Sequence, residues 1–352
     1  MMNLHKRSSA EFILPILILP LLLSGFTVIG CGVPATNQNE TDQSGNLGAT
    51  RPNRGSSSSA SESGESSKLK YNKTPLPEFV ELPSFRSLGG GLELATFRLT
   101  RSQLTAGKSC KLVIVRPSGT HAEKSLPCYF LAAAGATMFT GRSLGEGDTP
   151  ELRPWAEAGF VAVGYELDGE LNGQTDAAFQ RAMTEYEKSE AGLVNARNAI
   201  EYVLQKLPEV DPQRLYTGGH SSAGSQSLLL AAFDQRIKAA ISFNGVADKN
   251  EELRRDAGPE FNRMPPSLKR LLNKIDPGKY ADQIQCPIFL FHTQEDANVS
   301  VSQSRNAYQR FKSRGLNVTL KIGNGGHYQP MIDQGIPAAI QWLTAIDSAR
   351  GK

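Results

Sequence analysis

The chain has 352 residues, 39% hydrophobic and 21% charged, and its 38 basic and 35 acidic side chains leave a net charge of +3. No Lys/Arg block of the kind that tracks phosphates is present, which speaks against nucleic acid as a partner. No repeat with a period of roughly 20–50 residues occurs, which speaks against a solenoid or propeller.

Residues 1–30 begin with a short basic region, His5-Lys6-Arg7, followed by an apolar run from Phe12 to Ile29. This is the layout of a secretory leader. Val28-Ile29-Gly30-Cys31 resembles the lipobox of bacterial lipoproteins. That resemblance implies cleavage before Cys31 and a lipid anchor on its thiol, which would hold the protein to a membrane of the cell envelope, facing the periplasm or exterior. Ordinary cleavage and an uncleaved helix are the competing readings, the latter because the run approaches the roughly 20 residues that span a bilayer, although Pro15, Pro20 and Ser24-Gly25 interrupt it. Residues 31–74 are rich in Ser, Gly and Asn and too poor in apolar side chains to offset the entropy of ordering, so they are expected to form a tether. The folded domain is then 75–352.

From residue 90 short apolar runs alternate with helical stretches, the pattern of a mostly parallel α/β sheet covered on both faces. Eight strands are predicted, at Leu92–Leu99, Lys111–Arg116, Cys128–Ala133, Phe160–Tyr165, Arg214–Gly218, Ala239–Phe243, Ile288–His292 and Val318–Ile322. Helical spacing marks Thr175–Leu207, Ser222–Phe233, Val301–Arg314 and Pro337–Ala349. Asp248–Ile284 is polar and contains Pro265-Pro266 and Pro277-Gly278, so it is expected to be a small irregular insertion over the active-site end of the sheet. Cys110 and Cys128 could close a short disulfide loop or stay as small buried thiols. No Cys/His spacing suits a metal, and no cofactor motif is present.

The segment Arg214–Gly224 reads as a strand running through Gly218-Gly219-His220-Ser221-Ser222-Ala223-Gly224 directly into a helix. A serine on such a tight strand-to-helix turn is exposed for attack, and small neighbours are required because adjacent backbone leaves no room. Gly219-His220-Ser221-Ser222-Ala223-Gly224 resembles the Gly-His-Ser-X-Gly-Gly elbow of α/β-hydrolases, with Ala223 in place of a glycine. The match makes Ser221 the nucleophile and leaves Ser222 as its competitor. Val210-Asp211-Pro212 before the elbow strand and Tyr280 to Pro287 before the penultimate strand resemble the prolyl-oligopeptidase catalytic domain and its dienelactone-hydrolase-like relatives.

A serine hydroxyl needs a base, and the base needs an orienting carboxylate. The order serine, acid, histidine in this family places both downstream. His327, in the glycine-rich turn Gly323–His327, resembles the family's catalytic histidine. His292 ends a strand and is expected to be structural, and His220 to pack or hydrogen-bond beside the nucleophile. The acid by resemblance is Asp296, with Glu295 the alternative. The oxyanion donors implied are the N–H groups of Ser222 and Ala136, the latter in a loop where Ala134 replaces the family's histidine. The resemblance thus implies a serine hydrolase acting on a carboxylic ester, or a peptide or amide, with no cofactor. A non-catalytic binding protein on the same fold and an acyltransferase are the alternatives.

Overall fold

The computed structural model describes residues 69, 71, 75–99, 110–135, 139–145 and 148–350. The expected leader, Cys31 and almost all of the expected tether lie outside the described residues. Among the described residues no helix is long and apolar enough to cross a membrane.

Nine strands form one sheet: β1 (Arg86–Gly89), β2 (Leu92–Arg98), β3 (Lys111–Pro117), β4 (Leu126–Ala132), β5 (Val161–Tyr165), β6 (Val210–His220), β7 (Ile237–Phe243), β8 (Ile288–Thr293) and β9 (Val318–Gly323). Their order is β1-β2-β3-β5-β4-β6-β7-β8-β9. The pairs from β5 onward are parallel, and those among β1, β2, β3 and β5 are antiparallel. The sheet has one strand more than the eight expected, because β1 is only four residues long and mostly exposed, leaving no apolar run to read.

Side chains alternate across each strand, and the two sets build two cores. On one face Leu112, Ile114, Phe130, Val163, Leu215 and Leu290 meet helices α2 (Asp176–Lys188), α3 (Leu193–Lys206), α4 (Ser222–Phe233) and α8 (Val301–Ser313). On the other, Val113, Tyr129, Leu131, Ala162, Tyr216 and Phe289 pack with α1 (Thr149–Glu157) and α9 (Ile336–Arg350). The central strands are buried on both faces, which is why they read as continuous apolar runs.

Three local differences from the sequence reading have physical causes. The stretch expected as a single helix at 175–207 is two, because Glu190, Ala191 and Gly192 all adopt positive φ, at 52°, 58° and 80°. Ser189 fixes this turn by donating to Tyr186 O at 2.9 Å and accepting from Gly192 N at 3.1 Å. Helix α1 escaped detection because Pro150 and Pro154 interrupt its pattern. The insertion is helical rather than irregular: α5 (Lys249–Ala257), α6 (Glu260–Arg263), α7 (Pro266–Lys274) and a 3₁₀ segment Pro277–Gln283. Its prolines sit at helix starts, where a missing N–H costs nothing.

Cys110, Cys128 and Cys286 are buried and form no disulfide, so the small-thiol reading holds over the bridge. Two residues of the expected tether pack on the domain: Leu69 is buried, and the Tyr71 hydroxyl donates to Asp234.

Candidate active site

Parallel pairing brings distant segments to one edge of the sheet. His220 lies opposite Phe243, Phe243 opposite Phe291, and His292 opposite Ile322. The residues that follow these partners are Ser221, Asn244, and the loops carrying Asp296 and His327. All four therefore emerge at the carboxyl ends of adjacent strands, where open α/β sheets bind ligands.

Ser221 has φ 55° and ψ −120°, a conformation that strains a residue with a β-carbon. Its N–H donates to Phe243 O at 2.8 Å, and its carbonyl accepts from Ser225 N at 3.2 Å. The turn is closed around it by small residues. A β-carbon on Gly219 would stand 2.5 Å from the Ala223 methyl, and one on Gly224 2.6 Å from Ser242 Oγ. Ala223 thus fits the elbow because Gly219 opposite it has no side chain. Ser222, the competing nucleophile, is the first residue of α4 and lacks the strained geometry.

The Asp296 side chain is fully buried, and its Oδ2 pairs with His327 Nδ1 at 2.7 Å. Its Oδ1 accepts from the N–H groups of Asn298 at 2.8 Å and Val299 at 2.9 Å. Burial opposes ionisation of Asp296, but hydrogen bonds from His292 and His327 outweigh it and hold the carboxyl well below the usual carboxylate range. Glu295 turns elsewhere: its Oε2 accepts from Gly325 N at 2.5 Å, so it braces the histidine loop and does not meet the imidazole.

With Nδ1 bound to Asp296, His327 keeps Nε2 buried and without a hydrogen-bond partner. The His327 ring stands 4.3 Å from that of His220, the residue before Ser221. His220 donates from Nε2 to the His327 carbonyl at 2.7 Å. Burial, helped by the neighbouring His327, pushes the His220 imidazole down to about 3, so it stays neutral. His292 is equally committed, with Nδ1 on Ser304 Oγ at 2.7 Å and Nε2 shared between Val299 O at 3.0 Å and Asp296 Oδ2 at 3.4 Å. Both histidines hold the positions the sequence reading gave them.

Asn244 was missed. It is fully buried at φ 50°, and its Nδ2 reaches Asp296 Oδ2 at 2.6 Å, Thr293 Oγ1 at 3.0 Å and His327 O at 3.1 Å. Asn244-Gly245 after a strand was the available signal, because asparagine tolerates left-handed backbone. Of the expected oxyanion donors, Ser222 N–H lies in the first turn of α4, where helix donors have no intrahelical acceptor. Ala136 lies outside the described residues, while Gly135 N donates to Ser222 Oγ at 3.1 Å.

A strained serine, a buried carboxylate and an oriented imidazole follow the carboxyl ends of neighbouring strands, and the sequence pattern of the prolyl oligopeptidase family matches residues 148–331, which span all three. The chain belongs to the prolyl oligopeptidase family. It is 26% identical over 159 residues to the acetyl esterase Axe7A of Xylanibacter ruminicola, a match covering 39% of this chain and 36% of that protein. It thus spans well under half the length of that relative. By fold it is similar to an acetyl xylan esterase from Paenibacillus sp. R4, with a TM-score of 0.57 and 19% identity over 77% of this chain and 90% of the other. The acylaminoacyl peptidase of Pyrococcus horikoshii gives a TM-score of 0.54 at 20% identity, over 73% of this chain and 41% of that one.

Proposed function

We propose that this family member is a serine hydrolase that cleaves a carboxylic ester through an acyl-enzyme on Ser221. The observation that carries the reading is the 2.7 Å contact between Asp296 Oδ2 and His327 Nδ1, which leaves Nε2 as the ring nitrogen able to take a proton. Nε2 removes the Ser221 hydroxyl proton as Oγ attacks the ester carbonyl, and Asp296 stabilises the imidazolium that forms. The tetrahedral oxyanion is met by Ser222 N–H and by the loop after β4. His327 then protonates the departing alcohol, leaving acyl-Ser221. Water, deprotonated by His327, attacks the acyl group, and His327 returns that proton to the departing Ser221 Oγ, releasing the acid and the free serine.

Esters are preferred over peptides in this reading because nothing identifiable in the described residues offers a site for a peptide's charged terminus. Export and tethering through Cys31 form part of the same proposal and rest on the Val28–Cys31 motif. The test is fluorophosphonate labelling of the full chain, with turnover of 4-nitrophenyl acetate and of aminoacyl amides measured in parallel. Labelling and ester turnover should vanish in Ser221→Ala. Labelling that persists in Ser221→Ala and in the Ser221/Ser222 double variant would overturn the proposal.

A further inference from the structure

The carboxylate that orients His327 is itself held by the peptide group joining Asn298 to Val299. The N–H of that peptide, on Val299, donates to Asp296 Oδ1 at 2.9 Å. Its carbonyl, on Asn298, accepts from Arg255 Nη2 at 3.2 Å, a contact between residues 43 positions apart. Arg255 belongs to α5 of the insertion. One peptide unit therefore has a cation at its oxygen and the buried carboxylate at its N–H, and that carboxylate meets His327 Nδ1 at 2.7 Å.

Arg255 is held in place by its own helix. Its Nη2 pairs with Glu252 Oε1 at 2.5 Å and with Asp256 Oδ1 at 2.8 Å, and its Nε donates to Asp256 Oδ1 at 2.9 Å. The Glu252 side chain is 2% exposed and that of Arg255 41%, so a buried anion ties down a cation at the surface. The start of α5 is fixed in turn to α8, where Gln303 Oε1 accepts from Ala247 N at 3.1 Å and Asp248 N at 2.9 Å. Insertion and acid loop are thus joined at both ends of α5.

Hydrogen bonds in a chain polarise one another, by roughly 10–30% per bond. A guanidinium on the Asn298 carbonyl makes the Val299 N–H a stronger donor and fixes the plane in which it points. We propose that Arg255 is a positioning residue for the catalytic acid: through the Asn298–Val299 peptide it sets the orientation of Asp296 and so of the imidazole. Arginine suits the task because its planar fork serves the carbonyl and both carboxylates at once, which the point charge of a lysine does not. The inference rests on the hydrolase reading above, in which Asp296 orients the base.

The experiment compares the full chain with Arg255→Met, Arg255→Lys and the double variant Glu252→Gln with Arg255→Met. The double variant removes the buried charge that Arg255→Met would leave without its partner, so a loss of folding in the single variant does not decide the result. With 4-nitrophenyl acetate, kcat should fall about three- to tenfold in both methionine variants, far less than the roughly 10⁴ that follows loss of a triad acid. KM should change little, and Arg255→Lys should recover part of the rate. In an Asp296→Asn background, Arg255→Met should cost nothing further, because residues that act through one another are not additive. A kcat within about twofold of the parent in both methionine variants, or the same loss with and without Asp296→Asn, would overturn the positioning role.

The Val299 amide proton reports on the contact without any turnover. In a chain carrying isotopically labelled valine, its resonance should move upfield in Arg255→Met, as a weakened hydrogen bond requires. An unmoved resonance would overturn the proposal. A parent that shows this shift but hydrolyses no ester would overturn the hydrolase reading instead.

Discussion

Asn244 Nδ2 donates to Asp296 Oδ2 across 2.6 Å, and the same amide reaches the His327 carbonyl at 3.1 Å. One side chain at the end of β7 therefore grips both the carboxylate that orients the imidazole and the loop that carries it. Removing the amide leaves a buried carboxylate oxygen with one partner fewer, at a cost of about 1–3 kcal/mol. Asn244→Ala should lower the melting temperature and reduce kcat by roughly tenfold or more. Because Asn244 has φ 50°, Asn244→Gly separates the two causes. Glycine relieves the backbone strain and should recover part of the stability but none of the rate, as thermal denaturation and ester kinetics would reveal.

Asp296→Asn should retain the loop but misdirect the imidazole. An amide in place of the carboxylate cannot stabilise the imidazolium and favours the wrong tautomer, an effect on the order of 10⁴ in kcat for a buried triad acid. The variant should still bind substrate, so the loss should appear in kcat with KM little altered. A loss smaller than tenfold would show that another group orients His327.

Two buried groups give stability opposite dependences on pH. His220 is held at about 3, below its ordinary value of 6.5, so its contribution is complete above pH 6.5 and is lost as pH falls toward 3. Burial, with Asp148 beside it, pushes Glu151 up from 4.5 to about 8. Its contribution is complete below pH 4.5 and is lost as pH rises to about 8. A tenfold change in proton affinity on folding corresponds to about 1.4 kcal/mol. Melting temperature against pH should therefore become shallower on the alkaline side in Glu151→Gln and on the acid side in His220→Asn, each relative to the parent. Parallel curves for parent and variants would refute this.

Gly219→Ala should damage the elbow directly. Its new methyl would fall 2.5 Å from the Ala223 methyl and 2.9 Å from that residue's backbone carbon, which cannot swing aside. Overpacking of this kind costs typically about 1–3 kcal/mol. Restoring space on the other side, in Gly219→Ala with Ala223→Gly, should recover part of the stability. A double variant as unstable as the sum of the single ones would refute the pairing.

Much of this was legible from residue order. Ser222–Phe233 was predicted to the residue as α4, and seven of the strands were predicted to within two residues at each end, because buried parallel strands and an apolar helix write their periods into neighbouring positions. The exception was β6, which begins at Val210 and not near Arg214, since Asp211 and Pro212 broke the apolar run that marks a strand. Asp296 and His327, which pair at 2.7 Å, were legible because each follows a readable strand in a loop that resembles the family's. Asn244 was not found, because nothing near it in sequence says that its amide faces a carboxylate 52 positions away.

By itself the sequence determined the sheet-and-helix alternation and the strand-to-helix turn at Ser221, which depend on side-chain pattern over a few residues, while Asp296 and His327 were singled out by resemblance to the family's loops. Tertiary structure alone decided that 175–207 breaks at Glu190–Gly192, that Glu295 braces Gly325 while Asp296 takes the imidazole, and that Ser222 holds Gly135. The second of those outcomes depends on the register of β8 with β9, and the third on that of β4 with β6. In a parallel sheet, register is set by packing of the whole core and not by any neighbouring residue.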